Sequence, residues 1–212
     1  MDTISENNNV MLCGNIAGKP EYSHSARGQE FYVFPLEIRR LSGNYDTINI
    51  VIRREHLIRT ELGNGEMLRV SGQLRTFNNR NGEGAKLVIT VFAKELEFVD
   101  ECFGNQVSLN GTLCKKPILR CTPMGRDICD LMLAVNRHYG RSDYLPCICW
   151  GSLARSAADW DVGTKLHIEG RIQSRKYIKL IDGQAIEKTA FEVSVTEARE
   201  TEKEFIMSTS LC

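Results

Sequence analysis

VMLCGNIAGKP, from Val10 to Pro20, returns as VSLNGTLCKKP, from Val107 to Pro117, and this pair decides the fold. Val10, Leu12, Gly14, Ile16, Lys19 and Pro20 meet Val107, Leu109, Gly111, Leu113, Lys116 and Pro117 at a constant spacing of 97 residues. Leu36, Ile38 and Arg40 match Leu133, Val135 and Arg137 at the same spacing, and LRVSGQLRT from Leu68 matches LHIEGRIQS from Leu166 at 98. Chance does not hold a register over so many segments. A unit of about 100 residues is a complete small domain, whereas solenoid and propeller repeats run to roughly 20–50 residues. The chain therefore reads as a duplicated globular domain.

Within each copy the apolar residues alternate over short runs separated by Gly-containing turns, the mark of half-buried strands. In the second copy the runs are Val107–Leu113, Ile128–Val135, Leu145–Trp150, Leu166–Ile172 and Phe191–Val195. One stretch departs from this pattern. In SLARSAADWDVG, Leu153, Ala157 and Trp160 have helical spacing, and Gly163 is placed to end the turn. EHLIRTELGNG takes the same place in the first copy, whose last strand is KLVITVFA. Five strands with a helix between the third and fourth are the order of an OB-fold barrel, so the expected fold class is all-β, with two tandem five-stranded OB-fold barrels. The expected domains are residues 1–101 and 105–199, followed by a short tail, 200–212. Gly72 and Gly170 sit in the fourth strands, where a small closed barrel needs a bulge or sharp bend. ECFGNQ, joining the copies, is short enough to pack them side by side.

The chain has 212 residues, 42% hydrophobic and 25% charged, enough to bury two modest cores. No run approaches the ~18–20 apolar residues of a membrane span. MDTISENNN at the N-terminus is polar and acidic where a secretory signal is basic and then apolar, so a cytoplasmic location is expected. The eight cysteines form no C-x2-C knuckle; the reading is scattered thiols in a reducing compartment, with no metal site. Cys147 and Cys149, two apart in a strand, share a face. The formal net charge is zero, but its distribution is uneven: residues 104–196 carry 13 Lys and Arg against 9 Asp and Glu, whereas residues 1–100 carry 12 against 13. A local phosphate-binding surface fits a basic second domain on a neutral chain.

Catalysis finds little support in the residues. None of His24, His56, His138 and His167 belongs to an H-E-x-x-H or H-x-E pattern, and there is no G-x-x-x-x-G-K-[ST] loop. His167 reads as a solvent-facing strand residue, and Asp127, Asp130 and Asp143 as turn or strand-face charges. The expectation is a binding protein that is not an enzyme and takes no cofactor. Single-stranded nucleic acid is held by rings that stack on bases and by Arg and Lys that follow the backbone. The second copy supplies both. NRHYGRSDY places Arg137, Tyr139, Arg141 and Tyr144 on a hairpin, Trp150 ends the third strand, and RIQSRKYIKL carries Arg171, Arg175, Lys176, Tyr177 and Lys179. Trp160 reads as core; Trp150 stands open between core and platform.

The second copy, from Asn105 to about Thr196, resembles the bacterial single-stranded DNA-binding protein family. NQVSLNGTLCKKPILRCTPMG is similar to that family's opening strand and turn, LMLAVNRHYGR to its L-A-V-N-R-x-Y segment, and WGSLARSAADWDVGTKLHIEGRIQSRKY to its helix and E-G-R strand. The resemblance implies that Tyr139, Tyr144, Trp150 and Tyr177 are the base-stacking rings. The first copy keeps the skeleton but has Arg53 where the second has Trp150, and Asn79 where it has Tyr177. There Tyr45 and Phe77 are substitutes, with Arg39, Arg40, Arg53, Arg54 and Arg75 for phosphates.

The resemblance implies a non-sequence-specific single-stranded DNA-binding protein of replication, recombination and repair, located in the cytoplasm at the nucleoid. It also implies four OB domains per working unit, hence a homodimer of this chain. The family's acidic, Phe-ended tail tip, which recruits replication and repair proteins, is expected to be missing, since the sequence stops at EARETEKEFIMSTSLC. Two other readings stay open: an OB-fold interaction module of a primosome-like or nucleoid complex, and binding of single-stranded RNA.

Overall fold

The computed structural model describes residues 7–59, 62–79, 87–137, 140–181 and 184–201. The first unit runs β1 (Asn8–Ile16), β2 (Glu21–Ala26), β3 (Gln29–Arg39), β4 (Tyr45–Arg53), α1 (Arg54–Arg59), β5 (Met67–Asn78) and β6 (Leu87–Phe98). The second repeats it as β7 (Asn105–Leu113), β8 (Ile118–Cys121), β9 (Asp127–Asn136), β10 (Ser142–Trp150), α2 (Gly151–Ala157), β11 (Lys165–Ile181) and β12 (Gln184–Glu200).

Alternation builds the barrels. Along β4, Asp46, Ile48, Ile50 and Ile52 turn inward while Tyr45, Thr47, Asn49 and Arg53 face out. In the first unit β1 pairs with β5, β5 with β6, β6 with β4 in parallel through Ile50↔Val91, and β4 with β3. The pairs Asn15↔Glu37 and Ile16↔Leu36 between β1 and β3 close the circuit. The second unit closes identically through β7, β11, β12, β10 and β9. These are two tandem OB-fold barrels, each with one short helix after its third barrel strand.

The ladder slips between Ser71 and Gly72 and between Glu169 and Gly170, where each barrel turns its corner. A side chain cannot fit there. A Cβ on Gly72 would lie 2.2 Å from the Phe92 carbonyl oxygen, and one on Gly170 2.4 Å from that of Ser194.

Several features depart from the sequence reading. Each unit has an additional short edge strand, β2 or β8, exposed along its whole length and paired only with its neighbour. With nothing to bury, it carries no period-two signal. β11 continues nine residues past Ile172 as a hairpin with β12, and since none of those whose burial is described is fully buried, this part carries no period-two signal either. α2 stops at Ala157 instead of running to Gly163, because the N–H groups of Asp159 and Trp160 tighten onto the carbonyls of Ser156 and Ala157. Trp160 still packs half-buried against the core.

The barrels are joined strand to strand. β1 and β7 pair antiparallel in a register centred on Val10↔Val107, with Asn8↔Leu109 and Leu12↔Asn105 on either side. Because these are matching positions of the two copies, the join is an approximate two-fold, the arrangement of an isologous dimer made within one chain.

The reading of all cysteines as scattered thiols needs correction. Cys13 and Cys102 form a disulfide, with Cα atoms 5.6 Å apart. The β1–β7 pairing folds the connector back along β1, and the Cys13 N–H donates to the Gly104 carbonyl at 2.8 Å. A separation of 89 residues hides this from spacing alone. Cys147 and Cys149 do share a face, the inner one, and burial pushes the Cys149 thiol up to about 12 and that of Cys147 higher still. Both are neutral packing groups. No helix among the described residues is long and apolar enough to cross a membrane.

Candidate nucleic-acid interface

Tyr144 and Trp150 lie on the outer face of β10 at the same parity, 51% and 39% exposed. Six strand positions at about 3.4 Å each set them roughly 20 Å apart. Trp150 is therefore not a core residue. Tyr177 stands half-buried on the β11 extension, opposite Lys188. Tyr139 lies outside the described residues, as does the side chain of Lys179.

The cations expected on this surface are in part exposed. Arg171 and Arg141 are exposed. Arg175 lies 3.5 Å from Glu192, and Lys176 2.9 Å from Glu187 with its side chain 72% exposed. The Lys176–Glu187 pair, exposed on both sides, is worth about 0–1 kcal/mol, so a phosphate can displace that carboxylate at little cost, whereas the Glu192 carboxylate that holds Arg175 is buried.

Arg40 and Arg137 have a different principal role. Asp46, 1% exposed, lies between Arg40 and the other barrel: its Oδ1 accepts from the Ser174 N–H at 2.7 Å and the Ser174 hydroxyl at 2.6 Å, while Arg40 binds both Asp46 and the Ser174 carbonyl. The second unit does the same in reverse. Asp143, fully buried, accepts from the Thr76 N–H at 2.6 Å; Arg137 binds Asp143 and donates to the Thr76 carbonyl at 3.1 Å. Each barrel thus grips the other's long strand with an Arg–Asp pair. The reading of Asp143 as a turn or strand-face charge is corrected: it is an inter-barrel acceptor. Asp127 and Asp130 do pair locally, with Arg155 and Arg120. His167 is likewise no freely solvated residue, being bonded to Asn110 and Glu169 at 2.8 Å each.

Burial raises the Asp46 carboxyl, but the hydrogen bonds from Arg40 and Ser174 outweigh it and hold the group below the ordinary carboxylate range. The signal for this lock is in the sequence. R-x5-D occurs at Arg40–Asp46 and again at Arg137–Asp143, kept in both copies where the rings are not.

In the first unit Arg53 occupies the place of Trp150, bonded to Glu55 at 3.3 Å and 5.7 Å above the Phe92 ring. Phe77 and Tyr45 are 53% and 56% exposed. Arg54 pairs with Glu30 at 2.9 Å, and Arg75 lies 3.0 Å from Asp143.

The model of the single-strand binding protein family matches residues 104–199. Single-stranded DNA-binding protein 2 of Listeria innocua is 38% identical over 80 residues, covering 34% of this chain and 50% of that protein. The single-stranded DNA-binding protein of Clostridium tetani is also 38% identical over 80 residues, covering 34% and 55%. The chain spans about half the length of the curated relatives it matches. Two solved structures of the single-stranded DNA-binding protein of Thermus aquaticus share the fold across both units. A deletion mutant superimposes with TM-score 0.75 at 22% identity, over 95% of this chain and 97% of that one. The wild type gives 0.73 at 22%, over 92% and 93%.

Proposed function

We propose, since residues 104–199 match the model of the single-strand binding protein family, that this chain binds single-stranded DNA with little sequence preference and shields it during replication, recombination or repair. The observation that carries the reading is the pair of exposed rings, Tyr144 and Trp150, on the outer face of β10; two strands away on β11, Arg171, Arg175 and Tyr177 share one face and Lys176 lies on the other. Stacking needs only the flat face of a base and so accepts any sequence. Tyr139, Arg141 and Lys179 belong to the same surface by their place in the sequence, and Phe77 and Arg53 are its counterparts on the first unit. Arg40 and Arg137 support that surface chiefly by locking the barrels together. The chain acts as a binder and not as a catalyst. Two chains form a homodimer of four OB domains, in the cytoplasm at the nucleoid.

A titration with oligo-dT, oligo-rU and duplex DNA at two salt concentrations tests this. Oligo-dT binds with log K falling by about 0.7 per decade of salt for each phosphate neutralised. Duplex competes poorly, since its bases are already stacked. Equal affinity for duplex, or a slope near zero, contradicts the reading; tighter binding of oligo-rU redirects it to RNA. Sedimentation equilibrium of the free protein returns twice the 24.0 kDa chain mass if the dimer forms.

A further inference from the structure

Four sulfur atoms meet where the connector between the barrels lies over β1. Met11 and Cys13 stand two apart on the outer face of β1, Met67 comes in beside them from β5, where it pairs with Asn15, and Cys102 arrives on the connector. Cys13 is bonded to Cys102, the Met11 Sδ lies 3.8 Å from the Cys13 Sγ, and the Met67 Sδ accepts from the Cys102 N–H at 3.2 Å. Gly104 keeps room above them: a Cβ there would lie 2.8 Å from the Met11 sulfur and 3.1 Å from that of Cys13. Cys13 is 4% exposed, whereas Met11, Met67 and Cys102 are half-buried, so a small ion can enter from the rim.

The second unit keeps none of these sulfurs. Ser108 and Asn110 stand at the places of Met11 and Cys13, and Lys165 at that of Met67. The cluster therefore belongs to the first barrel and its connector and is no part of the duplicated skeleton. Three separate segments supply it, so no motif in the sequence announces it.

We propose that, once its disulfide is reduced, this cluster is a Cu(I) site, with the thiolates of Cys13 and Cys102 and the thioethers of Met11 and Met67 as ligands. In a reducing compartment, cysteines that the fold brings together are open to a metal. A dithiol reductant breaks the S–S bond by giving up two electrons and two protons, becoming a disulfide itself; Cu(I) then displaces the protons of the two thiols. Thiolate with thioether is a soft donor set, and Cu(I) takes it. Zinc draws its ligands from Cys, His, Asp and Glu, and among the described residues no three of these gather at one place. Metal–sulfur bonds of about 2.3 Å hold the sulfurs of a tetrahedral site about 3.8 Å apart, the separation already present between Met11 and Cys13. With the Cα atoms of Cys13 and Cys102 5.6 Å apart, rotation about their Cα–Cβ bonds parts the two Sγ atoms to a similar distance. The ion then ties the connector to β1 as the disulfide does.

The test uses the full chain, reduced under nitrogen with dithiothreitol, freed of it, and titrated with Cu(I) against the chromophoric chelator bicinchoninate, beside the same protein in its disulfide form. The reduced protein is expected to take one equivalent more, and X-ray absorption at the copper edge to show more than two sulfurs around that ion. Met11→Leu and Met67→Leu conserve volume and keep the fold, as circular dichroism checks. Each should weaken the extra equivalent about tenfold, the least that losing a supporting residue costs a metal site. Cys13→Ser with Cys102→Ser should remove it, and one equivalent of Cu(I) should raise the melting temperature of the reduced protein but not of this double variant. Equal uptake by the reduced and disulfide forms overturns the site. So does an extra ion held by two sulfurs alone, with an affinity that neither methionine variant alters.

Discussion

Asp46 and Asp143 each sit at the contact between the barrels, 1% and 0% exposed. A charge so enclosed is tolerable only because its oxygens are filled: Asp46 by Arg40 and Ser174, Asp143 by Arg137, Arg75 and Thr76. Since the Asp46 carboxyl titrates below its ordinary value of about 3.8, it stabilises the fold fully above that pH and loses its contribution as pH falls through the lower, folded value. Asp46→Asn is expected to cost about 1–3 kcal/mol near neutrality, the usual penalty for spoiling a buried hydrogen-bonded group. Urea unfolding at a series of pH values checks it: the gap to the unaltered protein narrows at acid pH. A gap independent of pH would mean that the carboxylate charge is not what matters. This pair also marks where sequence reasoning stopped. Rings among charges, such as Tyr144, were legible as surface residues; that Arg137 serves a carboxylate six residues away and a strand in another barrel depends on the folded hairpin.

At the scale of elements, the repeated VMLCGNI and VSLNGTL strands were legible because alternation and spacing are one-dimensional. The two-fold join of β1 to β7 was not, since strand pairing between copies leaves no pattern in either strand. Its consequence is the Cys13–Cys102 bond, which ties β1 to the connector and closes a loop of 89 residues. Counted as chain entropy removed from the unfolded state, such a crosslink is worth about 4–5 kcal/mol. With eight cysteines in the chain and Cys13 and Cys102 bonded among the described residues, six thiols are expected to react in denaturant without reductant, and eight after reduction. Eight in both conditions would show that the bond does not form. Under reduction the melting temperature should fall.

On the scale of the whole molecule, one chain holds what two copies of a single-barrel protein would supply: two OB folds related by an approximate two-fold, joined by strands and locked by reciprocal Arg–Asp pairs. Duplication freed the outer faces to diverge. The second barrel shows exposed rings among cations, and the first shows an apolar groove with Arg53 in place of Trp150. Binding is expected to begin on the second barrel, and both tryptophans of the chain lie there, one exposed on β10 and one packed against the core. Titrating the full chain with oligo-dT while following tryptophan fluorescence is the most direct test. Quenching should be strong in the unaltered protein and in Trp160→Phe, while Trp150→Leu should lose most of it and bind about 1–3 kcal/mol more weakly, the cost of one stacked base. A folded Trp150→Leu protein that binds and quenches like the original would contradict a base-stacking platform on this face.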